Sequence, residues 1–305
     1  MRPFRSLSYL LVLFLSFGAV AAVAPREAAD DSSGDGLRAA YREVAPRLAR
    51  SPFGQPVYLE ADDSDRQLTG HAYALLSHAF AEASQPLSEA AQWCDILLLP
   101  FNTKHCEVSS NAPDRLGLTL FVGRKYTTPL DKTQRLDFRF QVAARRADYL
   151  KVVLTAPAGP FGTRDYRVVL ELMPAEGSRS FLHLSYSYAY GMLARAAMQA
   201  YLSTIGAHKV GFTTEGGQLV GGMRGVMERN TMRYYLAIES YLRAQKAPPA
   251  ERPARMIDAW FEAVERYPRQ LHELERGEYV AMKRAEFDRM RSGVSPVRRT
   301  ASSSP

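Results

Sequence analysis

A chain of 305 residues with 46% apolar and 23% charged residues has ample length to bury a core. Its 20 Gly and 18 Pro, set against that apolar share, exclude collagen, wholesale disorder and a polytopic membrane protein. The formal charge of +7 is spread along the chain instead of forming one stripe, so no nucleic-acid footprint is indicated.

Arg2 and Arg5 precede an apolar run from Tyr9 to Phe17, which leads into the small residues Gly18 to Ala24. A basic start, a short apolar run and an Ala-x-Ala exit predict a secretory signal peptide over 1–24, cleaved after Ala22 or Ala24, with an uncleaved anchor as the alternative. The run is short for a transmembrane span. There is no Cys beside the cleavage site for a lipid anchor and no adjacent Arg pair for twin-Arg export. A periplasmic or secreted location is therefore expected. Residues 25–36 read as a leader, and Leu37, Tyr41, Val44 and Leu48 have helical spacing, which places leader and short helix over 25–50.

Val57–Glu60 and Leu68–Leu75 read as extended, then His78–Trp93 as two short helices broken at Pro86, and Ile96–Phe101 as a strand. Cys94 and Cys106 are the only cysteines. In an exported chain they are expected to form a disulfide. Their Cys-x11-Cys spacing is not that of a redox pair, and His105 beside Cys106 cannot easily share one tetrahedral zinc site with it.

The middle is strongly alternating. Leu116, Leu118, Leu120 and Val122 alternate with Gly117, Thr119 and Phe121; Leu136, Phe138, Phe140 and Val142 follow. Then come Leu150, Val152 and Leu154; Tyr166, Val168, Leu170 and Leu172; and Leu182, Leu184, Tyr186, Tyr188 and Tyr190. Turn residues separate them at Pro129 with Asp131, at Ala158–Gly162 and at Pro174–Gly177, which predicts an antiparallel meander with one apolar face.

Helices are expected to cover that face. Gly191–Ile205 is one candidate, and Met223–Arg243 is the longest amphipathic stretch. The latter's apolar stripe is Met223, Val226, Met227, Tyr234, Ile238 and Tyr241, with Asn230 on it and Arg224, Glu228, Glu239 and Arg243 largely opposite. After Pro248, Pro249 and Pro253, a helical extension over 247–291 carries Ile257, Trp260, Phe261 and Val264 and breaks at Pro268; 292–305 is expected to be a disordered tail.

A strand, two small helices closed by Trp93, a run of antiparallel strands and a long C-terminal helix resemble the START-like (helix-grip) superfamily over Val57 to Arg243. That superfamily includes lipid-transfer domains, polyketide cyclases and allergen-type ligand carriers. The resemblance implies an α+β helix-grip fold for 51–246, a curved antiparallel sheet wrapped on the long helix, with the C-terminal helices added. It also implies a cavity for an apolar ligand, probed from the strand side by Tyr186, Tyr188 and Tyr190 and from the helix side by Met223, Met227, Asn230 and Tyr234. The Cys94–Cys106 pair and the 191–222 segment depart from the pattern.

Catalytic constellations are thin. The six His form no metal-spaced pair, and His183 falls on the face opposite the apolar stripe. Gly217–Gly225 opens a helix but lacks the residues of a phosphate loop, so it reads as a hinge. Arg224 and Glu228 are one turn apart and can pair. Arg229 and Arg233 need acidic partners, with Asp165, Glu171 and Glu215 as candidates, or an anionic headgroup. No cofactor or metal is implied. The readings are a carrier or sensor of a hydrophobic small molecule or lipid, with a membrane surface as a further contact and no nucleic acid; a scaffold presenting Trp260 and Phe261; or an enzyme acting within the same cavity. No carboxylate or His is placed on an inward stripe, which favours binding over catalysis.

Overall fold

A computed structural model describes residues 33–64, 66–112, 115–192, 195–196 and 209–293. The residues expected to form the signal peptide, most of the expected leader and of the expected 191–205 helix, and those beyond Gly293 lie outside the described residues.

Helix α1 (Asp35–Ala49) is followed by strands β1 (Val57–Ser64) and β2 (Gln67–Leu76), then helices α2 (Phe80–Leu87) and α3 (Ala90–Leu98). Strands β3 (Thr103–Ala112), β4 (Arg115–Val122), β5 (Gln134–Arg145), β6 (Leu150–Ala158), β7 (Thr163–Ala175) and β8 (Arg179–Tyr190) form the meander. A small hairpin, β9 (Thr214–Glu215) and β10 (Gln218–Leu219), precedes the long helix α4 (Gly222–Ala244). Helices α5 (Arg252–Glu265), α6 (Pro268–Leu271) and α7 (Arg276–Arg291) complete the described chain.

The large strands make one antiparallel sheet in the order β1-β2-β8-β7-β6-β5-β4-β3. Only the β2–β8 pairing is non-local, with Ala72 opposite Leu184 and Gly70 opposite Tyr186, and it brings the two ends of the strand run together. Alternation sends Leu118, Phe138, Leu154, Leu170 and Leu184 to the inner face, where α3 and α4 lie.

Two segments differ from their expected state. Ile96–Leu98 complete α3 instead of opening a strand, and the strand begins at Thr103. The run Ile96–Leu99 is buried on all sides, so it has no period to separate helix from strand, and Pro100 then ends the helix. Strand β3 was hidden because Lys104 and His105, polar in sequence, are buried in the fold. The break between α2 and α3 falls at Ser88–Glu89, just beyond Pro86, and β7 runs through Pro174 before the turn at Gly177 and Ser178, both at positive φ.

The C-terminal helices belong to the same apolar cluster as the sheet. Trp260 of α5 packs against Phe101, centroids 4.9 Å apart, and against Tyr279 of α7 at 5.1 Å. Trp260 and Phe261 are both buried, so they are not the exposed apolar row that a scaffold would present. Helix α7 is fastened by a buried charge cluster. Lys283 Nζ donates to Pro100 O at 2.8 Å, Thr103 O at 3.0 Å and Glu286 Oε2 at 2.7 Å, and Lys104 Nζ reaches Glu286 Oε1 at 2.9 Å. Burial pulls the Lys283 ammonium down to about 8, against the opposing pull of Glu286.

Cys94 on α3 and Cys106 on β3 are bonded, with Cα atoms 5.3 Å apart. Both are buried, and the bond ties α3 to the edge strand beside the α7 cluster.

Candidate functional site: the inner face under the long helix

Helix α4 crosses the sheet at β2. A Cβ on Gly70 would stand 2.2 Å from Thr231 Oγ1 and 2.8 Å from Met227 Cγ, so only glycine allows this approach. Met227 is fully buried in that contact. The helix thus rests on one wing of the sheet, and the rest of the inner face extends away from it.

That inner face is not uniformly packed. Leu150, Val152, Leu170, Leu172 and Leu182 have no exposure at all. Toward the other end, Leu136, Phe138, Tyr166, Val168, Tyr186, Tyr188 and Met223 retain between 5% and 9%. Register explains the grouping, since Val168 pairs with Tyr186, Tyr186 with Gly70, and Tyr188 with Leu68. The slight residual exposure therefore falls on residues near the end where β8 finishes, among fully buried neighbours such as Leu68, Leu118 and Leu154.

Aromatic rings dominate this end. Tyr166 stacks on Tyr188 with centroids 5.2 Å apart, Tyr186 lies 5.6 Å from Tyr188, and Tyr234 of α4 meets Tyr186 edge-on at 5.2 Å. Phe138 approaches Tyr166 at 6.1 Å. Such rings gain from offset and edge contacts and leave hydroxyl tips for hydrogen bonds. The Tyr166 hydroxyl shares a 2.7 Å hydrogen bond with Thr163 Oγ1. The Tyr188 hydroxyl makes no hydrogen bond among the described residues. Burial pushes the Tyr166 phenol up to about 12 and raises those of Tyr186, Tyr188 and Tyr234, so all four remain neutral donors at ordinary pH.

Tyr186 lies in ring contact with both Tyr188 and Tyr234, and Met223 belongs to the same apolar cluster. Tyr190 is turned to the rim, where its hydroxyl donates to Asp63 Oδ1 at 2.5 Å. Asp63 lies on β1 beyond the extended segment read from sequence, and it sets one carboxylate on the inward side after all. Asp63, Met223 and Arg224 also line an open groove beside the β9–β10 hairpin. Asn230 is half-buried and accepts from Arg233 Nη1 at 3.4 Å.

The charges on α4 are deployed differently from the expectation. Glu228 is fully buried instead of facing solvent. Its carboxylate accepts the N–H groups of Phe212 at 2.6 Å and Thr213 at 2.9 Å, and the Thr213 hydroxyl. Segment 209–213 lies against the helix because Gly211 and Gly225 face each other, and a Cβ on Gly211 would strike Glu228 Oε2 at 2.3 Å. Arg224 pairs with Glu215 at 2.8 Å instead of with Glu228. Arg229 donates to Val210 O at 3.2 Å, and Arg233 pairs with Glu273 at 2.8 Å. The glycine-rich stretch is a hairpin with Gly216 and Gly217 at positive φ, leading into the helix.

The outer face holds a second polar array. Glu171 accepts from Tyr149 Oη at 2.6 Å and from His183 Nδ1 at 3.0 Å, and His183 Nε2 lies 3.0 Å from His71 Nδ1. A carboxylate can only accept, so His183 carries a proton on Nδ1, and a further proton lies between His183 Nε2 and His71 Nδ1. Burial pulls the His71 imidazole down to about 3 and keeps it neutral. His183 does face away from the apolar stripe as expected, but it is not isolated, and Glu171 serves it instead of an arginine. Tyr73 stacks on His183 at 4.5 Å, and α1 covers the neighbouring Phe181 through Tyr41.

No protein-family model matches the chain, and no curated protein does. Solved structures resemble it. Human StAR-related lipid transfer protein 5 aligns with 71% of this chain and 99% of its own, at 10% identity and TM-score 0.39. A conserved protein of Geobacillus kaustophilus aligns over 57% of this chain and 95% of its own, at 14% identity and TM-score 0.36. The Zhui aromatase/cyclase of Streptomyces sp. R1128 aligns over 66% and 95%, at 12% identity and TM-score 0.32. At such scores the likeness says nothing of ligand or activity, and the fold assignment stands on connectivity. Two strands, two short helices, six antiparallel strands returning to pair with β2, and a long helix across the inner face are all present. The chain has a helix-grip architecture, a curved antiparallel sheet with a long helix across its inner face.

Proposed function

We propose that this protein is an exported carrier or sensor that holds an apolar ligand, of lipid type, on the aromatic end of its inner face. The observation that supports this reading is the inner-face ring cluster of Tyr166, Tyr186, Tyr188 and Tyr234, of which the three strand tyrosines each keep 7% exposure. Phe138, Tyr166, Val168, Tyr186, Tyr188 and Tyr234 would contact the ligand's apolar body. The neutral Tyr188 hydroxyl would donate to its polar end. Met223 suits a wall that adapts to ligand shape, since its thioether chain is flexible. Export rests on the N-terminal pattern and fits a chain whose two cysteines are bonded.

Native mass spectrometry of the mature chain, purified from periplasm without detergent, tests the proposal. A stoichiometric apolar adduct that is lost in Val168→Trp, with circular dichroism unchanged, is the expected result. A clean apo mass, together with no uptake of a fluorescent fatty-acid probe, would overturn it.

A further inference from the structure

Among the described residues, six large apolar side chains are exposed, and three of them gather at one end of the sheet: Tyr126, Phe161 and Met192. Tyr126 lies in the β4–β5 loop, Phe161 in the β6–β7 turn, and Met192 two residues past β8. Contacts tie the Phe161 turn to the segments on either side of it. Phe161 N donates to Gln134 Oε1 at 2.7 Å, the Arg124 guanidinium stands 5.0 Å over the Phe161 ring, and Thr163 pairs with Tyr190.

Phe161 adopts φ 61° and ψ 28°, a left-handed conformation unfavourable for a bulky side chain. The turn therefore holds a phenyl ring out to solvent in a strained backbone state. Strain kept on an exposed aromatic is a sign of use, because neither burial nor backbone preference rewards it.

The β4–β5 loop beside the Phe161 ring is basic. The β4–β5 loop carries Arg124, Lys125 and Lys132 against Asp131 alone; at the same end Arg66 and Arg195 are exposed, with Asp62 and Asp63 of β1 beside Arg66. Arg164 is already neutralised by Asp165 at 2.5 Å. Neither Arg124 nor Lys125 forms an ion pair among the described residues.

We infer that this end of the molecule docks on an anionic lipid bilayer, with Tyr126, Phe161 and Met192 entering the headgroup layer and Arg124, Lys125 and Lys132 meeting lipid phosphates. Aromatic and apolar tips ringed by cations suit that interface, where rings sit at headgroup depth and basic side chains gain from surface potential. The inference builds on the proposed ligand site by naming its partner surface, since Tyr166 is bonded through Thr163 to the Phe161 turn. Vesicle binding is measured without ligand, so the two readings fail separately.

The test is co-sedimentation of the full mature chain with phosphatidylcholine vesicles, with and without phosphatidylglycerol. Expected is binding to the anionic vesicles that falls with added salt. Arg124→Ala with Lys125→Ala should weaken it about 25-fold, and Phe161→Asp should abolish it. Val142→Asp, an exposed apolar position about 25 Å further along β5, should change nothing. Absence of vesicle binding, equal binding by all variants, or self-association in place of vesicle binding would overturn the inference, whatever the ligand experiment shows.

Discussion

Lys283 gives the sharpest test of how the C-terminal helices are attached. Its ammonium is wholly buried and its pKa is brought to about 8, from an ordinary value of 10.5. Between those two values the unfolded chain binds a proton that the folded chain has released, so this group makes stability rise with pH. From pH 7.5 to 9.5 the gain integrates to about 2 kcal/mol. Ionisation of tyrosines in the unfolded chain pulls the other way over the same window, because the buried phenols are raised in the fold. A Lys283→Met variant shares that tyrosine contribution, which cancels in the comparison. Urea unfolding at both pH values, followed by tryptophan fluorescence, should show wild type gaining about 2 kcal/mol relative to the variant. Parallel behaviour of the two proteins would refute the claim that burial outweighs the Glu286 pairing at Lys283.

Replacing Cys94 and Cys106 by Ser should cost about 3 kcal/mol by the loop-closure argument, and dithiothreitol should shift the wild-type urea midpoint but not the variant's. Gly70→Ala should destabilise by about 1–3 kcal/mol through overpacking against α4, and Thr231→Ala, which removes the buried and unpartnered hydroxyl facing it, should recover much of that loss in a double-mutant cycle. His183 and Tyr149 hold the Glu171 carboxyl below its ordinary value despite its burial, so its contribution is present above about pH 4.5 and is lost as pH falls through the lowered value; Glu171→Gln should flatten that part of an acid titration followed by circular dichroism.

Much of the sheet was legible because its signal is local. Leu136, Phe138 and Phe140 alternate with Asp137 and Arg139, and a half-buried strand requires that period. The same holds for α4, whose apolar stripe recurs at three- and four-residue steps. Where burial is two-sided the period vanishes, which is why Ile96–Leu98 read as a strand and Lys104 and His105 concealed one. Tyr166 and Phe138 escaped the list of site residues because nothing local separates an inward ring that packs solidly from one that keeps slight exposure.

Alternation, helical stripes and turn residues were sufficient to determine the antiparallel run, the long covering helix and the inward direction of Tyr186 and Tyr188. Tertiary structure alone decided who meets whom. The β2–β8 pairing joins residues more than a hundred positions apart, and it sets Gly70 under Met227 and His71 beside His183. Glu228 read as lying opposite the apolar stripe, yet Phe212 and Thr213 bring their N–H groups to it in the core, and Pro100 and Thr103 bring carbonyls to the buried Lys283. A charged residue is legible as surface because ionisation favours water, and only a fold that delivers complementary polar groups can reverse that preference.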